Sequence, residues 1–165
     1  MEPRQHISTI WTGSAASLTE EERDLLRRAH DAAKGAYAPY SGFQVGAAAR
    51  LSNGQIVPGC NQENAAFPSG LCAERAAVFA AGSLFPGVSI ECLAVVTPSP
   101  HASLEEFSPC GGCRQVLWES QQRQDKPFRM LLQVGEGPVC RVDGVENYLP
   151  FAFGAKGLGK AAGMP

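Results

Sequence analysis

Apolar residues in the first third of the chain follow the period of an amphipathic helix. Thr19 and Glu22 have the spacing of a capping box, and YAPYSG interrupts the pattern after Ala36. The sequence therefore predicts a first helix over residues 19–36, with its apolar stripe at Leu25, Leu26, Ala29, Ala32, Ala33 and Ala36.

A pair of strands is predicted next. The apolar segments FQVGAAARL and QIVPGCN are joined by SNG, and Asn53-Gly54 is a strong hairpin signal because both residues accept positive φ. We expect strands near residues 43–51 and 55–61.

The remaining segments alternate between helical and strand patterns. LCAERAAVFAAG predicts a second helix that begins at or just before Cys72 and ends at Gly82, and GGCRQVLWESQQ predicts a third. IECLAVVT and FRMLLQVG are continuous apolar runs typical of strands buried on both faces, and PVCRVDG predicts a shorter strand. The order indicates an α/β domain, a three-layer α/β/α sandwich around a mixed sheet of about five strands.

Composition narrows the kind of partner. The 165 residues suit one domain, and 44% hydrophobic with 18% charged residues is ordinary for a folded protein. Fourteen basic against 16 acidic residues give a net charge of −2, so no global positive field favours nucleic acid or an anionic membrane. With neither a signal peptide nor a membrane-spanning apolar run in the sequence, we expect a soluble intracellular protein that binds a small molecule.

Cysteine spacing suggests the chemistry. Cys110 and Cys113 in SPCGGCRQV are compatible with a redox pair, half of a structural zinc site, or part of a catalytic centre. Cys72 also stands at the start of a predicted helix, where thiol pKa values are lowered and thiolates become available to Zn²⁺. Three protein ligands leave one tetrahedral position for water, as in catalytic zinc sites.

Other interpretations of the cysteines stay open at this point. Cys60 or a histidine could complete a closed structural zinc site. A redox pair is weaker, since it needs no third thiol. Glu74, two residues after Cys72, favours catalysis, because hydrolysis at an aromatic carbon needs a neighbouring group to carry protons.

The motifs resemble one family over most of the chain. CAE at 72–74 and PCGGC at 109–113 look like the zinc signature of cytidine deaminases, in the form with three cysteine ligands. YSGFQVGAA at 40–48, GCNQENAAFPSGLCAER at 59–75, SPCGGCRQV at 108–116 and LPFAFG at 149–154 resemble the small homotetrameric members. The resemblance spans residues 19–154, which we take as the catalytic domain, between a mobile or loosely docked extension at 1–18 and a tail at 155–165.

The resemblance implies roles around the metal. It makes Cys72, Cys110 and Cys113 the zinc ligands and Glu74 the residue that carries protons between water and the pyrimidine. Three thiolates leave the zinc site negatively charged, and the resemblance makes Arg75 the compensating charge. From the residues alone, Arg75 could equally be an ordinary surface arginine.

The resemblance also implies substrate contacts. It implies that Asn61 and Glu63 bind the ribose hydroxyl. From the residues alone, both would be loop residues that stabilise a turn, as Asn64 would be. The backbone of residues 108–110 would receive the amino group. The resemblance makes Phe43 a wall beside the pyrimidine, although from the residues alone it would be a core residue. It also implies a hydrogen bond between the Ala73 backbone and the base, and it places Phe67 and Phe153 at a neighbouring subunit's site. Related enzymes often carry tyrosine at the position of Phe67, and Phe153 could instead anchor the core.

Expectations for the whole protein follow from the same resemblance. It implies a cytoplasmic homotetramer of pyrimidine salvage that converts cytidine and deoxycytidine to uridine and deoxyuridine. A deaminase of a related nucleoside such as blasticidin S, or a noncatalytic zinc module, are the alternatives. Two groups carry no predicted catalytic role: Cys60, Cys92 and Cys140, expected to be buried apolar residues, and His6, His30 and His101.

Overall fold

A computed structural model describes residues 1–159; residues 160–165 of the predicted tail lie outside this range. The sheet strands are β1 (Trp11–Gly13), β2 (Gly46–Leu51), β3 (Ile56–Cys60), β4 (Ile90–Thr97), β5 (Arg129–Val134) and β6 (Val139–Asp143). The helices are α1 (Glu20–Ala33), α2 (Ala73–Leu84) and α3 (Gly111–Gln122). The chain thus forms the α/β fold that its periodicity predicts.

The six strands form one mixed sheet in the order β1-β6-β5-β4-β2-β3. Within the described residues, β4 and β5 pair in parallel, and the other neighbouring strands pair antiparallel. A parallel pair needs a long crossover connection, and α3 supplies it between β4 and β5.

Side chains alternate between two apolar layers, one on each face of the sheet. On β2, Ala47 and Ala49 face the core beneath α2 and α3, whereas Ala48 joins Leu25 and Ala29 of α1 on the opposite face. This alternation is the period-two pattern of a strand buried on both sides. The expected three-layer α/β/α sandwich is confirmed.

The sheet has one strand more than the five expected. Trp11–Gly13, assigned by sequence to a mobile extension, pairs with β6, and the Arg141 guanidinium lies 4.7 Å from the centre of the Trp11 ring. The Thr9 backbone N–H also donates to Asn147 Oδ1 at 3.0 Å. The three β1 residues are all exposed, so they show no alternation of buried and exposed side chains. The strand forms by pairing with β6, which is far away in the sequence, and the local pattern does not predict it.

Element boundaries follow local chemistry. The capping box predicted for α1 is present, with Thr19 and Glu22 exchanging hydrogen bonds. The hairpin expected at Asn53-Gly54 is present, and Gly54 has a φ of 82°, whereas Asn53 does not adopt a positive φ. The expected end of α2 at Gly82 is wrong: the helix continues to Leu84, since glycine weakens a helix without necessarily ending it.

Glycine brings the first turn of α2 close to the sheet. A Cβ built on Gly59 of β3 would lie 2.5 Å from the Ala77 nitrogen and 2.7 Å from the Ala73 carbonyl oxygen. The backbone of α2 could not approach β3 so closely over any larger residue. Over residues 1–159, no helix is long and apolar enough to cross a membrane.

Candidate metal centre and substrate site

Two helices begin at cysteines that lie beside each other. Cys72 is the N-cap of α2 and Cys110 is the N-cap of α3, and neither side chain makes a capping hydrogen bond to the backbone of its own helix. Cys113 follows in the first turn of α3 and is fully buried. Helix N-termini stabilise negative charge, so these positions favour thiolates.

The three sulfur atoms form a compact group. The Sγ atoms of Cys72, Cys110 and Cys113 lie within 4.8 Å of one another, and those of Cys110 and Cys113 are 3.4 Å apart. Three thiolates with this spacing suit a tetrahedral Zn²⁺, for which sulfur is a preferred ligand. All six cysteines are free, so no disulfide competes for these thiols.

Hydrogen bonding polarises the group. A side-chain hydrogen bond with Cys113, together with Arg75, lowers the pKa of Cys72 to about 5. The same bond, with burial, raises the pKa of Cys113. The surroundings of Cys72 therefore favour its thiolate form, which suits capture of a cation.

Glu74 lies beside the thiols in the first turn of α2. Its side chain is only 5% exposed. Burial raises the pKa of the Glu74 carboxyl, and the negative charge of Cys72 raises it further. A carboxyl whose pKa is shifted towards neutrality can accept and return a proton, as general acid–base catalysis requires.

Arg75 contacts the metal-binding group. Its Nη2 lies 3.6 Å from the Cys72 Sγ and 3.4 Å from the Gly70 carbonyl oxygen. The bond to Cys72 raises the pKa of Arg75, so the guanidinium stays charged. Of the two interpretations of Arg75, the geometry favours the one in contact with a thiolate.

Asn61 and Glu63 hold the loop that precedes β2. The Asn61 amide accepts from the Val45 N–H at 2.8 Å and donates to the Phe43 carbonyl at 2.9 Å. The Glu63 carboxylate accepts the Tyr40 N–H at 2.8 Å and also the Ser41 hydroxyl. Both residues therefore shape residues 40–45, in keeping with the turn-stabilising role that the sequence alone suggests for them.

The loop and the cysteine cluster are joined through one bridge. Gln62 and Leu71 exchange backbone hydrogen bonds of 2.8 and 2.9 Å, one residue before Cys72. Sequence reasoning missed this link, because an isolated bridge has no periodic pattern. Asn61, Glu63 and the metal-binding helix thereby form one connected unit.

The predicted aromatic contacts divide into two groups. Phe43 is half-buried, and its ring centre lies 6.5 Å from that of the buried Phe107. Phe67 and Phe153 are exposed by 74% and 64%. Phe67 packs edge-to-face on Tyr40. The Gln115 side-chain amide donates from Nε2 to the Phe153 carbonyl oxygen at 2.8 Å. Exposure argues against Phe153 as a core anchor in the single chain.

The other cysteines lie apart from this group. Cys92 and Cys140 are buried, as expected. Cys60 is only half-buried, and its Sγ accepts a hydrogen bond of 3.3 Å from Gln62 Nε2. A cavity of about 1120 Å³ opens between the ends of α2 and α3 and residues 152–155 and 157. Neither the three clustered cysteines nor Glu74 line that cavity.

Comparisons with known proteins agree with the site. The family model for the zinc-binding region of cytidine and deoxycytidylate deaminases matches residues 19–125. A cytidine deaminase of Mycobacterium tuberculosis is 46% identical over 116 residues, which are 68% of this chain and 84% of that protein. One of Halalkalibacterium halodurans is 37% identical over 134 residues, 81% of this chain and 95% of that protein.

Solved structures support the same assignment. The crystal structure of a cytidine deaminase from Burkholderia pseudomallei superposes with a TM-score of 0.70 at 36% identity, covering 82% of this chain and all of that one. The chain belongs to the cytidine and deoxycytidylate deaminase family. It is an enzyme of that family, and zinc is its metal cofactor.

Proposed function

We propose that this protein deaminates cytidine and deoxycytidine to uridine and deoxyuridine. Water replaces the amino group at C4 of the pyrimidine, and ammonia leaves. The observation that carries the proposal is the buried Glu74 beside three clustered cysteines in a member of this family. Relatives named cytidine deaminase support the substrate.

Cys72, Cys110 and Cys113 are the proposed zinc ligands. When bound, Zn²⁺ supplies Lewis-acid activation of the attacking water. The lowered pKa of Cys72 favours the thiolate form that binds a cation, and Arg75 offsets the negative charge of the thiolates through its contact with Cys72.

Glu74 is the proposed proton carrier. It takes a proton from water and delivers it to N3 of the cytosine ring. It then takes the proton of the new hydroxyl group at C4 and transfers it to the departing amino group, so that ammonia leaves and the C4 carbonyl forms. Its burial beside the thiols suits this role, since a carboxylate with a raised pKa is a stronger base towards water, and a pKa nearer neutrality lets the group both accept and return a proton.

The sugar and base are proposed to bind against the connected loop. Asn61 and Glu63 bind the ribose hydroxyl, Phe43 forms a wall beside the pyrimidine, and the Ala73 backbone bonds the base. A site that hydrogen-bonds ribose discriminates against free cytosine, because its polar groups would otherwise stay unpaired. The ordinary ribose that this pair fits also argues against blasticidin S as the main substrate.

The assembly is proposed to be a homotetramer that acts in pyrimidine salvage in the cytoplasm. Phe67 and Phe153 would then complete the sites of neighbouring subunits. Their high exposure in the single chain supports this arrangement, because large exposed aromatic side chains are typical of contact surfaces.

The test uses purified zinc-loaded protein. Addition of cytidine should shift the absorbance to that of uridine and release one ammonia per nucleoside. Glu74→Gln should lower the turnover number by about 10²–10⁴ while zinc content stays unchanged. Zinc-loaded wild-type protein inert on both nucleosides would contradict the proposal, and a Glu74→Gln variant with full activity would point to a noncatalytic zinc module.

A further inference from the structure

Arg114 follows Cys113 in α3 and lies beneath the loop that leads into the metal centre. We infer that Arg114 is a positioning residue that holds Ser108, Pro109 and Cys110 in the geometry that zinc and substrate require. The part of this inference that concerns substrate rests on the proposed function; the part that concerns zinc does not.

Arg114 contacts three consecutive residues of the loop. Its Nε donates to the Pro109 carbonyl at 2.7 Å, and its Nη2 donates to the Ser108 hydroxyl at 2.8 Å. The Arg114 backbone N–H donates to the Cys110 carbonyl at 2.9 Å. The backbone bond to Cys110 is the ordinary first-turn bond of α3, whereas the two side-chain bonds are particular to arginine and hold the two residues that precede Cys110.

The same side chain is anchored on the core. Arg114 Nη1 donates to the Tyr148 carbonyl at 3.3 Å, and the guanidinium carbon lies 5.5 Å from the centre of the Tyr148 ring. Tyr148 is only 8% exposed and belongs to the core beneath α2 and α3. Because its far side rests on a buried residue, the guanidinium is a rigid support for the loop.

The loop needs such support. Residues 108–110 have no helical or strand structure, and Ser108 and Cys110 are both exposed. The Cys110 side chain makes no capping bond to α3. Without Arg114, the position of this thiol relative to Cys72 and Cys113 would depend on a loosely held backbone.

The contacts of Arg114 differ in kind from those of Arg75. Arg75 reaches a sulfur atom and so compensates charge, whereas the side-chain hydrogen bonds of Arg114 go to two carbonyl oxygens and one hydroxyl. A planar guanidinium makes such divergent bonds at once, and the point charge of a lysine cannot. Arg114→Lys therefore keeps the charge and removes the geometry.

The experiment compares Arg114→Lys with Arg123→Lys, a change at the opposite end of the same helix. Zinc release to an excess of a coloured chelator is timed, and the turnover number and KM for cytidine are measured. Arg114→Lys should release zinc about tenfold faster or more and lower the turnover number by a similar factor. Arg123→Lys should match wild type. Wild-type zinc release in Arg114→Lys would overturn the inference.

Ser108→Ala tests the link without a risk to folding, since Ser108 is exposed. It removes one bond to Arg114 and should speed zinc release by about fivefold, the effect of one hydrogen bond. In the Arg114→Lys background the same change should have no further effect. Equal effects in both backgrounds, or no effect of Ser108→Ala alone, would contradict the positioning role.

A merely structural arginine gives a different pattern. Its replacement would lower the melting temperature of the zinc-free protein and leave zinc release from the folded protein unchanged, which also overturns the inference. A wild-type protein that fails to convert cytidine would refute the proposed function alone, because the zinc-release comparison stands without it.

Discussion

Glu74 and Arg75 are neighbours in sequence but stand in different surroundings. Glu74 is almost completely buried, and burial raises its pKa. Arg75 is half-buried, with its guanidinium against the Cys72 thiol. One helical turn therefore presents a buried carboxyl and a positive charge to the same three clustered cysteines.

Arg75→Gln should lower turnover while zinc stays bound. The three cysteines remain, but the thiolates lose the positive charge that lies 3.6 Å from Cys72 Sγ. We expect the turnover number to fall by about tenfold, the lower end for a residue that supports metal ligands. Zinc content and initial rates provide the measurement. Arg27→Gln, on the exposed face of α1, serves as the control. Unchanged turnover in Arg75→Gln would exclude the charge-compensating role.

Among single residues, the sequence predicts the three clustered cysteines better than the residues that hold them in position. Cys72, Cys110 and Cys113 carry their own chemistry and their helix-start positions, so their clustering could be expected. The roles of Arg114 and Gln62 depend on partners brought near by folding: Tyr148 for one, Leu71 for the other. No spacing rule predicts such partners from one sequence.

Among the elements, the contact of α2 with β3 determines where the metal centre lies. Gly59→Ala should push the first turn of α2 away from the sheet, because the new Cβ would lie 2.7 Å from the Ala73 carbonyl oxygen. We expect the free energy of unfolding to fall by about 1–3 kcal/mol, with loss of zinc affinity. Urea unfolding and zinc titration provide the measurements.

Gly82→Ala is the matched control for that change. Gly82 lies in the same helix α2, and a Cβ added there would have no other atom within 4 Å. Alanine at this position should raise the free energy of unfolding by about 0.5–1 kcal/mol. Equal effects of Gly59→Ala and Gly82→Ala would show that close packing does not limit the approach of α2.

Glu22 joins α1 to β5. Burial alone would raise its pKa, but the Thr19 N–H and Arg129, at 2.6 Å, outweigh burial and hold the pKa of Glu22 below 4.5. A lowered folded-state pKa stabilises the protein above the unfolded-state value, and this stability disappears as pH falls through the folded-state value.

Glu22→Gln should therefore destabilise the protein in a pH-dependent way. Glutamine can still accept the Thr19 N–H but loses the ion pair with Arg129, so we expect a loss of about 1–2 kcal/mol at neutral pH. The difference from wild type should shrink as pH falls below about 4.5. Urea unfolding across pH provides the measurement, with exposed Glu20→Gln as the control. A loss that is independent of pH would show that packing, not charge, is responsible.

Elements with a local pattern of apolar residues or a capping motif are predicted from the sequence better than elements that form only through a distant pairing. The apolar runs of β4 and β5 and the capping box of α1 are local signals, and the structure contains all three elements. β1 has three exposed residues and exists only by pairing with β6. Residues 43–45, expected to extend β2, are instead held by the Asn61 side chain.

The oligomeric state of the protein determines whether the exposed Phe67 and Phe153 can contact a neighbouring subunit. We expect light scattering to give a mass about four times the 17.5 kDa of one chain. Phe153→Ala should raise the KM for cytidine about tenfold, which corresponds to about 1.4 kcal/mol of lost binding. Phe151→Ala, equally aromatic and 89% exposed, is the control. A fully active monomer would contradict the role of both Phe67 and Phe153 across subunits.

The three clustered cysteines come from two separate helices, and this arrangement affects stability. Cys72 caps α2 and Cys110 caps α3, with β4 and its following loop between them. A metal ion bound by cysteines of both helices would close a loop of about 40 residues in the folded protein, and its binding free energy would add to the free energy of unfolding because the unfolded chain has no preformed site. The cofactor is therefore also a reversible cross-link, and cells that run short of zinc would lose this protein's resistance to unfolding together with its activity.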